Sequence, residues 1–167
     1  MVKKLAIDHG SRVADLGSGN GYFTLRLAVA TGPEGTVYAV DLANQRLDEI
    51  RATAKARSLG NIETILASED DPRLTRPVDL IFMCNTYHHL PMRIAYLSKL
   101  KRHLLPNGRI AIVEIDRTPW YYFLAAHRTD PWRLWLLARS GIPEATEPNR
   151  CSTRSAARGS GLRSGRR

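Results

Sequence analysis

A chain of 167 residues has room for one ordinary domain with its own core, and 43% hydrophobic with 25% charged residues is the make-up of a water-soluble globular protein. Its apolar runs, such as Leu80 to Cys84, are far too short to cross a bilayer, and Asp8 falls where a signal peptide needs an apolar core, so a cytoplasmic protein with no membrane partner is expected. The net charge of +9 is unevenly spread: residues 150–167 hold six arginines and no acid, leaving 19 basic against 16 acidic residues elsewhere, which marks a basic tail and makes a nucleic-acid surface a poor reading.

Strand and helix signals alternate from residue 12 to residue 115. Arg12 to Leu16 reads as a first strand, and Tyr22 to Ala30 as a helix broken by Gly32-Pro33-Glu34-Gly35. Thr36 to Val40 is a β-branched second strand ending at Asp41. Asn44 can cap a helix from Gln45 to Leu59 that stops at Gly60. Ile62 to Leu66 is a third strand, and Val78 to Cys84 a fourth, apolar enough to be buried on both faces. Pro91 can start a helix carrying Ile94, Leu97, Leu100 and Leu104. Pro106-Asn107-Gly108 reads as a turn, and Arg109 to Ile115 as a fifth strand. This rhythm predicts a doubly wound, mostly parallel α/β sheet with right-handed crossovers. After Arg117 it stops: Pro131 to Ser140 reads as a short helix, and the Arg-, Ser- and Gly-rich end beyond Pro148 as disordered. Domain bounds of 1–117, 118–148 and 149–167 follow. Cys84 in an apolar run and Cys151 in the tail suggest neither a disulfide framework nor a zinc site.

The most informative segment is Asp15-Leu16-Gly17-Ser18-Gly19-Asn20-Gly21-Tyr22. A glycine-rich turn from strand to helix lets backbone approach a ligand closely. A dinucleotide fingerprint wants its third glycine where Tyr22 stands, and no Walker lysine is present. The segment resembles motif I of class I S-adenosylmethionine-dependent methyltransferases. The likeness extends over about residues 10–116, through Val37 to Asp41, the region after Asp79, and Leu105-Pro106-Asn107-Gly108-Arg109.

That resemblance implies S-adenosyl-L-methionine as cofactor and a set of residues around it. Asp15 would answer the amino group, directly or through water. Gly17, Ser18, Gly19, Gly21 and Tyr22 would form the loop under the methionyl part and ribose. Asp41 would accept from both ribose hydroxyls, or else merely cap the next helix, and Leu42 would pack on the adenine. The adenine amino group would meet Ser68, Glu69 or Asp70, which otherwise form a solvated loop. Asn85 would offer its backbone carbonyl.

Methyl transfer is an in-line displacement, so positioning dominates and a base is needed only if the acceptor loses a proton. His88 is the candidate base, with His89 as its neighbour; Tyr22 and Tyr87 are pocket-lining or core aromatics. The Asn-Pro-Pro-Tyr signature of amide and base-nitrogen methylation is replaced by Asn85-Thr86-Tyr87-His88. The expected activity is methyl transfer to a small-molecule or otherwise unidentified acceptor. The alternatives are a cofactor-binding domain that does not catalyse and, third, an NAD-dependent dehydrogenase. The family closes its sheet with two further strands, the last antiparallel, and no such pair is legible after Ile115. Strand five would then be an exposed edge, favouring a homo-oligomer.

Overall fold

The computed structural model describes residues 1–90, 92–115 and 132–138. Strands β1 (Arg12–Leu16), β2 (Thr36–Asp41), β3 (Ile62–Leu66), β4 (Val78–Cys84), β5 (Leu104–Ile115) and β6 (Trp132–Ala138) form one sheet in the order β3-β2-β1-β4-β5-β6. The first five are parallel and β6 is antiparallel. Helices α1 (Tyr22–Thr31) and α2 (Asn44–Ala56) follow β1 and β2, and α3 (Arg93–Leu100) lies between β4 and β5.

Alternation along the buried strands feeds two cores. Val13, Val37, Leu80, Phe82, Ala111 and Val113 pack with Leu27 and Ala28 of α1 and with Leu5. Tyr38, Val40, Ile81, Met83, Ile110 and Ile112 face the other way, onto Tyr96, Leu97 and Leu100 of α3. Sheets buried on both faces need such continuous apolar runs. The chain winds outward from β1 to β2 and β3, then returns to β4 on the other side. The carboxyl ends of β1 and β4 therefore flank a topological switch point, where open α/β sheets place ligands.

The doubly wound, mostly parallel sheet matches the sequence reading, with local corrections. Residues 132–138 form a strand, not the expected short helix. β6 pairs with β5 from Arg109↔Ala138 to Ile115↔Trp132, so an antiparallel strand is present and β5 is not the edge. β5 starts at Leu104, and the expected turn is an irregularity inside it: the register jumps from Val78↔Leu104 to Leu80↔Arg109. Leu104 accordingly belongs to β5 and not to α3. In α2, Asn44 is the first helical residue and not the cap; the Ala43 N–H is held by Asp41 Oδ1 at 3.0 Å. That helix ends at Ala56, and Ser58 takes the left-handed conformation expected of Gly60. Pro91 and the expectations for the rest of 118–148 and for 149–167 lie outside the described residues.

Candidate functional site

β1 ends in the loop Gly17–Gly21. Gly17 has φ 73°, and a Cβ there would lie 2.6 Å from Thr86 Cγ2. A Cβ on Gly21 (φ 79°) would meet Ile50 Cγ1 at 2.8 Å, so this glycine serves helix packing. The Gly17 and Ser18 N–H groups both donate to Val40 O, at 2.8 and 3.1 Å.

Asp15 lies beneath the loop and is buried, 2% exposed, lining neither cavity. Its Oδ2 accepts the Thr24 hydroxyl at 2.6 Å, which ties β1 to the first turn of α1. Burial pushes its carboxyl up to about 7; the Thr24 hydrogen bond opposes the rise and the Asp41 charge adds to it.

Two cavities open beside the loop and share Gly17, Cys84 and Asn85. The first, about 820 Å³, lies between the loop, α1 and the amino-terminal turn, and its charged lining is Lys3, Lys4 and Arg26. Ser18 also lines it, and the Ser18 Oγ is buried with no hydrogen-bond partner among the described residues. Tyr22 forms part of the wall; Arg26 stacks over its ring at 3.6 Å and donates to its carbonyl at 2.6 Å. The second cavity, about 630 Å³, lies over the ends of β2, β3 and β4, and its acids are Asp41 and Glu69. Its walls include exposed Leu42 and the apolar Val40, Met83 and Leu90.

The loop after β3 is closed on itself. Ser68 N donates to Asp71 O at 3.0 Å, and Ser68 Oγ donates to Asp70 Oδ1 at 3.1 Å. Arg102 Nη2 donates to Asp71 Oδ2 at 2.8 Å, anchoring the loop to the segment after α3. The Arg73 N–H, with Arg102 and His103 beside it, holds the Asp71 carboxyl below its usual value against the opposing effect of burial. Ser68 and Glu69 line the second cavity, whereas Asp70 faces solvent near Lys99 at 3.7 Å.

Beyond β4, Asn85 (φ 52°) donates its N–H to Val113 O at 2.8 Å and borders both cavities. A short 3-10 turn, Tyr87–His89, follows. Tyr87 packs against the α3-side core. His89 lines the second cavity. His88 lines neither, and its Nδ1 is 2.7 Å from Glu114 Oε2 at the end of β5. Cys84 is partly buried, and burial pushes its thiol up to about 12, with the Asp15 and Glu114 charges adding. Among the described residues no cluster of His, Cys, Asp and Glu suits a metal ion, and no helix is long and apolar enough to cross a membrane.

The structure thus gathers Gly17, Ser18, Gly19, Tyr22, Asp41, Leu42, Ser68, Glu69 and Asn85 around one crevice, and leaves Asp15, Gly21, Asp70 and His88 off its walls. Sequence reading missed Thr24, Thr86, Glu114 and the basic trio Lys3, Lys4 and Arg26. Only Glu114 had a legible signal, an acid ending an otherwise apolar strand.

A family model described as a methyltransferase domain matches residues 13–108, more than half the chain. Trans-aconitate 2-methyltransferase of Azoarcus sp. (strain BH72) is 31% identical over 147 residues, 85% of this chain and 54% of that protein. The crystal structure of a SAM dependent methyltransferase from Aquifex aeolicus shares 27% identity over 75% of this chain and 74% of that one, with a TM-score of 0.63. That of coclaurine N-methyltransferase bound to N-methylheliamine and SAH shares 25% identity over 68% of this chain and 33% of that one, also with a TM-score of 0.63. The chain spans about half the length of the curated relatives it matches. With the glycine loop, the switch-point crevice and these matches in agreement, the chain belongs to the methyltransferase domain family.

Proposed function

We propose that this chain binds S-adenosylmethionine across the crevice and transfers its methyl group to a small-molecule acceptor, as a cytoplasmic enzyme. The observation that carries the reading is the Ser18 hydroxyl, buried without a partner among the described residues in the wall of the first cavity, on a loop where Gly19 leaves open space. A buried orphan of this kind is costly unless a ligand or water completes it. The charge division supports the orientation: acids line the half suited to ribose hydroxyls and an amino-purine, and cations line the half suited to a carboxylate.

In this reading Asp41 receives the ribose hydroxyls. Its oxygens already accept Gly19 N–H at 2.9 Å and Ala43 N–H at 3.0 Å, and each retains a further lone pair. Leu42 packs on the adenine, Ser68 or Glu69 takes its amino group, and the Asn85 carbonyl addresses the ligand where the two cavities join. Gly19, whose Cβ position is open, permits close approach, and Gly17 lets the loop pass Thr86. Asp15 acts from beneath, by fixing the loop through Thr24, or through water. When bound, the cofactor supplies an electrophilic methyl group, and the chain's contribution is to hold an acceptor in line with it. The nicotinamide reading finds no support in the relatives described above.

Isothermal calorimetry with S-adenosylmethionine, its demethylated product S-adenosylhomocysteine, and NAD as control tests this. Dissociation constants in the micromolar range or tighter are expected for the first two. Binding of NAD with no response to either methionine ligand would overturn it.

A further inference from the structure

We propose that Glu114 is a positioning residue that fixes His88 as a general base, so that the acceptor is a phenolic or enolic hydroxyl, which must lose its proton as it is methylated. The proposal rests on the methyl-transfer reading and names its substrate class.

Ile110 and Ile112 of β5 face the α3 side of the sheet, and two residues on, where alternation calls for another apolar side chain, stands Glu114. It is nearly buried, at 14% exposure, and its Oε1 has no partner among the described residues. A carboxylate so placed is unfavourable for packing alone. Its other oxygen is 2.7 Å from His88 Nδ1. An ionised carboxylate only accepts, so Nδ1 carries a proton, and in the neutral ring it is Nε2 that holds the lone pair. The ring is further held by the His89 ring at 3.9 Å, and the His88 carbonyl by Arg93 Nη2 at 3.0 Å. Among the described residues, the other ionisable groups facing this pair are His89, Cys84 on β4, which interacts with both Glu114 and Asp15, and Arg93 on α3.

Position completes the case. Cys84 pairs with Val113, so Glu114 lies one residue past the last β4–β5 pair, at the sheet edge from which Asn85 reaches both cavities. The His88 side chain lines neither cavity but is 32% exposed beside Asn85 and His89, which do. In the reaction the acceptor's O–H proton passes to Nε2. The freed oxygen lone pair forms the bond to the methyl carbon, and the electrons of the broken carbon–sulfur bond stay on sulfur. The imidazolium then returns its proton to water. Carboxylates and tertiary amines need no such base.

Long-range proton–nitrogen NMR of the histidine-labelled full chain reads the His88 tautomer without any ligand. The Nδ1–H form is expected, and Glu114→Ala should replace it largely by the Nε2–H form. Tritiated methyl transfer from S-adenosylmethionine is then measured on phenols, enols, carboxylates and tertiary amines. Turnover should be confined to the phenols or enols. His88→Gln should lower kcat about a hundredfold and Glu114→Gln about tenfold, with acceptor KM and the S-adenosylhomocysteine Kd within about twofold. The proposal is overturned by an Nε2–H His88 in the unaltered chain, by a panel in which no phenol or enol is turned over, or by a Glu114→Gln enzyme of full kcat. Failure of the unaltered chain to bind S-adenosylhomocysteine, with the tautomer as expected, sinks the methyl-transfer reading instead and the acceptor assignment with it.

Discussion

Asp41 holds Gly19 across the mouth of the crevice: its Oδ2 accepts the Gly19 N–H at 2.9 Å while its Oδ1 accepts the Ala43 N–H at 3.0 Å. One carboxylate at the end of β2 thereby fixes both the glycine loop that follows β1 and the entry to α2. The Ala43 contact lies one residue before α2, and it leaves lone pairs on both oxygens for the ligand role proposed above.

Asp41→Ala should accordingly weaken S-adenosylhomocysteine binding by about 1.5–3 kcal/mol, from lost charge-assisted hydrogen bonds and a loosened loop. Calorimetry reads the affinity and thermal denaturation the fold. An unchanged dissociation constant would confine Asp41 to its two backbone contacts.

Asp15 makes stability depend on pH in an unusual direction. Its carboxyl is pushed up from 3.8 to about 7, so between those values the folded state holds a proton that the unfolded chain has released. The stabilisation is complete below about pH 4 and disappears as pH rises through about 7. Asp15→Asn, which still offers Thr24 an acceptor, should flatten this decline and melt higher than the unaltered chain at pH 8. Melting curves from pH 5 to 8 that stay parallel for the two proteins would contradict the assignment.

Cys84 borders both cavities yet should be chemically quiet. Its thiol is pushed up to about 12, so its thiolate fraction near neutrality is very small. In a Cys151→Ser background, alkylation by iodoacetamide at pH 7.5 should run at least roughly a hundredfold slower than for a free cysteine of ordinary pKa near 8.5. Mass spectrometry gives the rate, and labelling at the free-cysteine rate would show the site to be more open or less negative than described.

Gly17→Ala combines left-handed backbone with a collision. The conformation alone costs about 1–2 kcal/mol, and the Thr86 side chain occupies the space a Cβ needs. Thr86→Ala introduced beside it removes the colliding atoms, so the double variant should melt above Gly17→Ala alone, a non-additivity expected of residues in contact. Additive melting shifts would mean that Thr86 simply moves aside.

Much of the sheet was legible because β2, β3 and β4 are β-branched or apolar runs bounded by turn residues, and their observed ends fall within a residue of the reading. β6 was not legible. Trp132-Arg133-Leu134-Trp135-Leu136-Leu137 has neither clean alternation nor a turn signal, and its strand conformation is expressed through seven pairings with β5. Spacing announced the glycine loop and Asp41. It could not announce Glu114 as the partner of His88, since 26 residues separate them and the register of β4 on β5 brings them together. Lys3 and Lys4 were equally hidden, because the amino-terminal turn reaches the loop through tertiary contacts, among them Arg109 Nη2 donating to Ala6 O at 2.7 Å.

Among the described residues the two cavities share Gly17, Cys84 and Asn85, which makes the crevice two chambers with a shared doorway. On the reading proposed above, a nucleoside-like fragment would fill one chamber and an amino-acid-like fragment the other, so the two could be bound at once. Joined through a linker at the doorway, the same fragments bind as one body: the second chamber sees its half at high effective concentration, and affinity rises well above that of either piece. Cofactor-competitive inhibitors for this chain would therefore be assembled outward from a small, neutral centre resting on Asn85, with an acidic group directed to Lys3, Lys4 and Arg26 and hydrogen-bond donors to Asp41 and Glu69.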